Sequence, residues 1–98
     1  MDGFSVTVDG RTVRIEGDLD LSTAPAFDRA IASLPPGGEL TIDAAGLRFV
    51  DSSGLRSILG LARRLRSNGR LVLRNPGPQV RRVLELVRAD ELLEIADD

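Results

Sequence analysis

Two short runs in this chain bring carboxylates and hydroxyls together: Gly17-Asp18-Leu19-Asp20-Leu21-Ser22-Thr23 and Asp51-Ser52-Ser53-Gly54. Each stands where a strand pattern gives way to a helix pattern. Several kinds of chemistry are open to such runs. A carboxylate at a helix start accepts the free N–H groups of the first turn. Two acidic loops side by side can hold a divalent cation. A serine in a first turn is reachable, sits in a positive local dipole and can receive a phosphoryl group. Ser53 is the serine so placed, and a phosphate there adds about −1.5 to −2 charges at neutral pH. Asp51 and Asp20 are the acidic neighbours that would repel it. Asp-Ser-Ser-Gly ahead of an apolar helix is also the pattern of an ordinary helix cap, and Gly-Asp-Leu-Asp alone is a turn.

The rest of the composition narrows the chemistry. The chain has 98 residues, enough for one modest core. We therefore expect a single domain over residues 1–98. There is no cysteine, histidine, tryptophan or tyrosine, and all thirteen basic residues are arginine. That excludes a disulfide framework, a Cys/His zinc site, a Ser-His-Asp triad, a Schiff-base lysine and a Walker lysine. No cofactor is expected. Net charge is −2, which gives no global pull toward nucleic acid. Charge is segregated along the chain, however. Residues 56–88 hold nine arginines and one acid, Glu85. Three phenylalanines are the only aromatics, too few for a base-stacking platform. The start MDGFSVTVDG lacks an apolar signal segment, and no run reaches the ~18 residues of a membrane span. We expect a cytoplasmic protein with no direct contact to nucleic acid or membrane.

The elements that must position these loops follow from periodicity. Phe4, Val6 and Val8 alternate, as do Val13 and Ile15, on either side of Asp9-Gly10. That is a hairpin with strands at about 4–8 and 12–18. Ser22 or Thr23 offers an N-cap and Pro25 suits the first turn of a helix. Phe27, Ala30, Ile31 and Leu34 form its stripe, and Pro35-Pro36-Gly37-Gly38 ends it. Leu40 and Ile42 predict a short strand at about 39–43, followed by a linking stretch from Ala44 to Val50. Leu55, Ile58, Leu59, Ala62 and Leu65 then mark a second helix, stopped by Asn68-Gly69. Leu71-Val72-Leu73 is a buried-type strand, and Asn75-Pro76-Gly77-Pro78 a turn. Val80, Val83, Leu84 and Val87 mark a third helix. Leu92, Leu93 and Ile95 form a last short strand or dock. The order is β-β-α-β-α-β-α, with an optional final β. It gives an α/β fold whose sheet has parallel members. If the second and third strands run parallel, both acidic loops share one sheet edge, where open α/β sheets place their sites.

The pairing of Gly17-Asp18-Leu19-Asp20 with Phe49-Val50-Asp51-Ser52-Ser53-Gly54-Leu55 resembles the STAS domain, and more narrowly the bacterial anti-sigma factor antagonists. The resemblance runs through Asn68-Gly69, Leu71–Leu73 and Arg81-Arg82-Val83-Leu84. It implies the STAS fold, a mixed sheet of four to five strands with helices packed mainly on one face, and a partner-switching role without catalysis. The antagonist binds an anti-sigma factor that is a GHKL-type serine kinase, which frees a sigma factor. The kinase uses its own ATP to phosphorylate the motif's second serine, and a PP2C-type phosphatase reverses this. Carried onto this chain, the resemblance makes Ser53 the phosphoacceptor. It makes Asp20, Asp51, Ser52 and Gly54 partner-binding residues, and we expect Arg56 beside them to be a partner contact that differs from the family's; as a residue without a Cβ, Gly54 is expected to allow close approach of another molecule. Arg56 stands where many members carry glycine, Asp18 replaces a common Glu, and the chain ends at Asp98 without a further helix that members often have. Two other readings remain open on the sequence. One is a regulatory or scaffold subunit, stressosome-like or partnered with a lipid-transport ATPase, without a phosphoswitch. The other is a small nucleotide or Mg²⁺ binder using the two acidic loops.

Overall fold

A computed structural model of the chain describes residues 3–35 and 37–97. Pro36, in the predicted Pro-Pro-Gly-Gly stop, lies outside the described residues. The elements run β1 (Ser5–Asp9), β2 (Thr12–Leu19), α1 (Ala24–Ala32), β3 (Gly38–Val50), α2 (Ser52–Leu65), β4 (Gly69–Arg74), α3 (Pro78–Leu86), a short 3-10 turn (Ala89–Glu91) and β5 (Glu94–Ala96). The hairpin forms at the predicted Asp-Gly, with Gly10 at φ 61°. Such a backbone favours a residue without a Cβ.

The five strands lie in the sheet in chain order, β1-β2-β3-β4-β5. β1 and β2 are antiparallel; β2, β3, β4 and β5 are parallel neighbours. Each parallel step crosses over through one helical connection. Right-handed crossovers that all advance the same way across a sheet deposit their helices on one face. The burial pattern follows from this. Val13, Ile15, Leu40, Ile42, Leu71 and Leu73 point into one core shared with Phe27 and Ile31 of α1, Ile58, Leu61 and Leu65 of α2, and Val80 and Leu84 of α3. The opposite face carries Arg14, Glu16 and Arg70 exposed to solvent, with Val72 the buried exception. Ion pairs cross this face: Arg14 to Asp43 at 3.4 Å, and Arg70 to Glu39 at 3.0 Å and Glu94 at 2.7 Å.

β3 is longer than its sequence pattern suggests. The stretch from Ala44 to Val50, expected as a link, is strand in one continuous 13-residue element. Its register against β2 shifts twice, between Arg14 and Glu16 and between Gly17 and Asp18. Each shift inserts one extra β3 residue, as a bulge does. Burial there falls on Ala44, Leu47 and Val50, every third residue rather than every second. An alternation test cannot see a strand with that spacing. The final strand is short, and Leu93 docks beside it at 5% exposure.

Candidate functional site

Because β2 and β3 are parallel, their ends deliver both acidic loops to the same edge of the sheet. The joint between them is made of backbone. Asp51 N–H donates to the Leu19 carbonyl at 3.2 Å, which extends the β2–β3 ladder by one bond past Val50. Asp51 is the N-cap of α2, with extended backbone. Its Oδ1 accepts from the N–H groups of Ser53 and Gly54, both at 2.9 Å. Its Oδ2 accepts from the Leu21 N–H in the other loop at 3.2 Å. One carboxylate therefore caps the helix and ties the two loops together.

The Asp20 loop is organised in the same way from its own side chain. Asp20 Oδ1 accepts from Ser22 N–H at 3.0 Å, Ser22 Oγ at 2.8 Å and Thr23 N–H at 3.2 Å, and lies 3.1 Å from Thr23 Oγ1. These bonds, with the Ser22 hydroxyl first, hold the Asp20 carboxyl below the usual carboxylate range; partial desolvation opposes them. Thr23 occupies the N-cap position of α1, but its hydroxyl makes no cap bond. It accepts from the Asp20 N–H and donates to the Asp18 carbonyl, both at 2.8 Å. The hydroxyl closes the turn instead of capping the helix. Arg48 on β3 adds an ion pair to Asp18 at 3.6 Å.

Gly54 is buried, and the close approach it permits is internal. A Cβ there would lie 2.2 Å from the Leu19 carbonyl oxygen and 2.8 Å from Val50 Cγ2. The glycine lets the start of α2 press against the end of β2. Ser52 is exposed, Ser53 half-buried and Arg56 exposed. Among the described residues the Ser53 hydroxyl has no hydrogen-bond partner. Arg56 lies on one wall of an open groove of about 270 Å³ between α1 and α2, with Asp28, Ser57 and Arg64. Ser53, Asp20, Asp51, Ser52 and Gly54 thus meet at one edge, and Arg56 stands one turn along α2.

Two further residues belong to this edge and escaped the sequence reading. Leu21 is 75% exposed at the tip of the Asp20 loop. An apolar side chain held out between Asp20 and Ser22 is a ready contact for another protein; the signal was an apolar residue outside every stripe. Gln79, near the start of α3, has no such signal. Its amide brackets Val50, accepting from the N–H at 3.1 Å and donating to the C=O at 3.3 Å. β4 pairs with β3 only as far as Asp43, so Gln79 takes the place of a neighbouring strand just before Asp51.

The Asp51 carboxylate and Asp20 Oδ1 are engaged with N–H and O–H donors of the two loops. Among the described residues, no group of three or more metal-ligating side chains is gathered anywhere. No helix among them is long and apolar enough to cross a membrane.

Comparison with known proteins places this geometry. The family model described as MlaB, STAS domain, matches residues 3–94. The anti-sigma F factor antagonist of Lysinibacillus sphaericus is 33% identical over 84 residues, covering 82% of this chain and 72% of the relative. The structure is similar to that of the anti-sigma factor antagonist SpoIIAA in its unphosphorylated form, with TM-score 0.76 and 28% identity over 98% of this chain and 88% of that one. It shares its fold with the Bacillus cell fate determinant SpoIIAA in the phosphorylated form, with TM-score 0.69 and 24% identity over 98% of this chain and 91% of that one. On its sequence and its fold, this chain belongs to the STAS domain family.

Proposed function

We propose that this protein is an anti-sigma factor antagonist: a regulatory binding protein, not an enzyme. In this reading it docks on an anti-sigma factor serine kinase of the GHKL type, and docking frees a sigma factor. Phosphorylation of Ser53 by that kinase ends the interaction, and a PP2C-type phosphatase restores it. All of this takes place in the cytoplasm. The observation that carries the reading is the state of Ser53. Its backbone is fixed by the Asp51 cap, while its hydroxyl takes no partner among the described residues. A phosphoacceptor needs a rigid mount and a free oxygen, because the kinase supplies positioning and charge stabilisation for the transfer. The relatives support the partner class, since those named are anti-sigma factor antagonists and SpoIIAA is known in both phosphorylation states.

The docking surface in this reading is Asp20, Leu21, Asp51, Ser52 and Arg56 around Ser53. A phosphate arriving there adds about −1.5 to −2 charges to an edge already holding two carboxylates. The switch acts on the contact surface and leaves the core alone. The test is incubation of the intact protein with the cognate kinase and ATP, read by mass. One phosphate is expected on wild type and on Ser52→Ala, and none on Ser53→Ala. Ser53→Asp is expected to weaken kinase binding while leaving Tm nearly unchanged. An unmodified wild type that instead co-purifies stably with a transporter ATPase would overturn the proposal in favour of a regulatory subunit.

A further inference from the structure

We propose that Arg56 is an intramolecular clamp for a phosphate carried on Ser53, a deepening that rests on the phosphoacceptor reading of Ser53. Helix N-termini usually receive an anion on their free first-turn N–H groups. Here most of those donors are already spent, and among the described residues only the Ser52 N–H of the first turn is left without a partner. Ser53 and Gly54 donate to Asp51 Oδ1, and Leu55 donates to the Asp51 carbonyl at 2.8 Å. A phosphate on Ser53 would find at most the Ser52 N–H and would stand close to the Asp51 carboxylate, with the Asp20 carboxylate on the adjoining loop. It needs a cation from elsewhere.

Arg56 supplies one. Residues three apart on a helix are surface neighbours, so Arg56 lies on the side of α2 that Ser53 occupies. It is exposed, and among the described residues it forms no ion pair or hydrogen bond. Asp28 of α1 lines the same groove but is not paired with it. The next arginines on α2, Arg63 and Arg64, stand two turns further on, and Arg64 is engaged with the Ile31 carbonyl at 3.2 Å. Arg56 is thus the one cation of the first two turns. Its planar fork suits two charge-assisted bonds to phosphate oxygens. In the unphosphorylated form the same guanidinium is free for a partner. Phosphorylation would then change two features of the docking edge at once, adding a dianion and withdrawing a cation.

The experiment installs phosphoserine at position 53 of the full chain during synthesis, without any kinase, and follows the phosphate by ³¹P NMR from about pH 4 to 8. The charged groups around the phosphate, which ionises a second time near pH 6, are Asp20, Asp28, Asp51, Arg56 and Arg64, and the comparison with Arg56→Gln alters Arg56 alone. The titration therefore reads the clamp. The second pKa is expected to lie about 0.3 unit lower in wild type than in Arg56→Gln, with the gap narrowing in high salt. Arg63→Gln, two turns beyond Arg56, should titrate as wild type. Equal values in wild type and Arg56→Gln would overturn the clamp. So would an equal rise in Arg63→Gln, which would point to the general charge of the helix. Circular dichroism of each variant confirms that the fold is retained. Because no kinase takes part, a kinase that fails to modify Ser53 refutes the functional reading without touching this result.

Discussion

Gly54 is the residue at which the sequence reading and the structure part most clearly. Its place after two serines suggested an opening for another molecule, but the missing Cβ is required by Leu19 of the same chain. Which neighbour lies within 3 Å of a glycine is set by tertiary packing and leaves no local trace. Gly54→Ala should cost about 2 kcal/mol by overpacking, a fall in Tm of about 8 to 16 °C for a domain of this size. A wild-type melting curve would show that the joint between α2 and β2 can yield. Asp20 gives a second prediction at this scale. Its folded-state pKa is depressed, so its ionised form stabilises the loop above the unfolded value near 4, and that contribution is lost as pH falls through the lowered folded value. The amide signals of Ser22 and Thr23 are therefore expected to shift on acidification below about pH 4. Asp20→Asn should abolish that titration step. The polar residues themselves were legible from the start, because hydroxyls and carboxylates at a strand–helix junction announce a cap or a site. Leu21 was not, since an apolar residue in a loop acquires meaning only once its exposure is known.

At the scale of elements, the helices and the hairpin could be read because each obeys one period. The stripes through Phe27 and Ile31, through Ile58, Ala62 and Leu65, and through Val80 and Leu84 all face the core. The second half of β3 hid because two bulges replaced alternation with a spacing of three. This segment aims the site. The bulges carry β3 past the end of its pairing with β4, and its open edge is then served by Gln79. Removing that amide leaves the Val50 N–H and C=O without a protein partner. Gln79→Ala should destabilise the fold by about 1 kcal/mol, since water can reach the half-buried pair. Gln79→Glu should do worse. A carboxylate still accepts from the N–H but sets a second acceptor against the Val50 carbonyl. Urea unfolding of the three proteins would test the order wild type, Ala, Glu. If Glu matched wild type, Gln79 would not be bracketing the strand. Under the proposed function, the same variants should weaken binding to the anti-sigma factor kinase through misplacement of Asp51 rather than through any lost contact.

Considered whole, the molecule separates its tasks by place. The helix-covered face holds the core, the open face holds ion pairs, and one edge, where β2 and β3 end, holds Ser53 and its acidic neighbours. Sequence reasoning reached the shared edge only on the condition that the second and third strands run parallel, a condition the β2–β3 pairing meets. It could not say which strands would be central. In this sheet β2 and β3 each have a strand on both sides, while β1 and β5 form the edges. β5 is attached through only three residue pairs, supported by the exposed Arg70–Glu94 ion pair. Exposed pairs contribute little, about 0 to 1 kcal/mol. Opening should therefore begin at β5 and spare the strands that mount the site. Native-state hydrogen exchange should find the paired amides of β5 exchanging first and those of β2 and β3 near Leu19 and Val50 only on near-global unfolding. Arg70→Ala should quicken exchange in β5 and leave β2 and β3 as they were. The opposite order, with the ends of β2 and β3 exchanging as fast as β5, would mean that the phosphoacceptor rides on a mobile edge. Phosphorylation would then act by changing order in the sheet, and the surface-charge account of the switch would have to be abandoned.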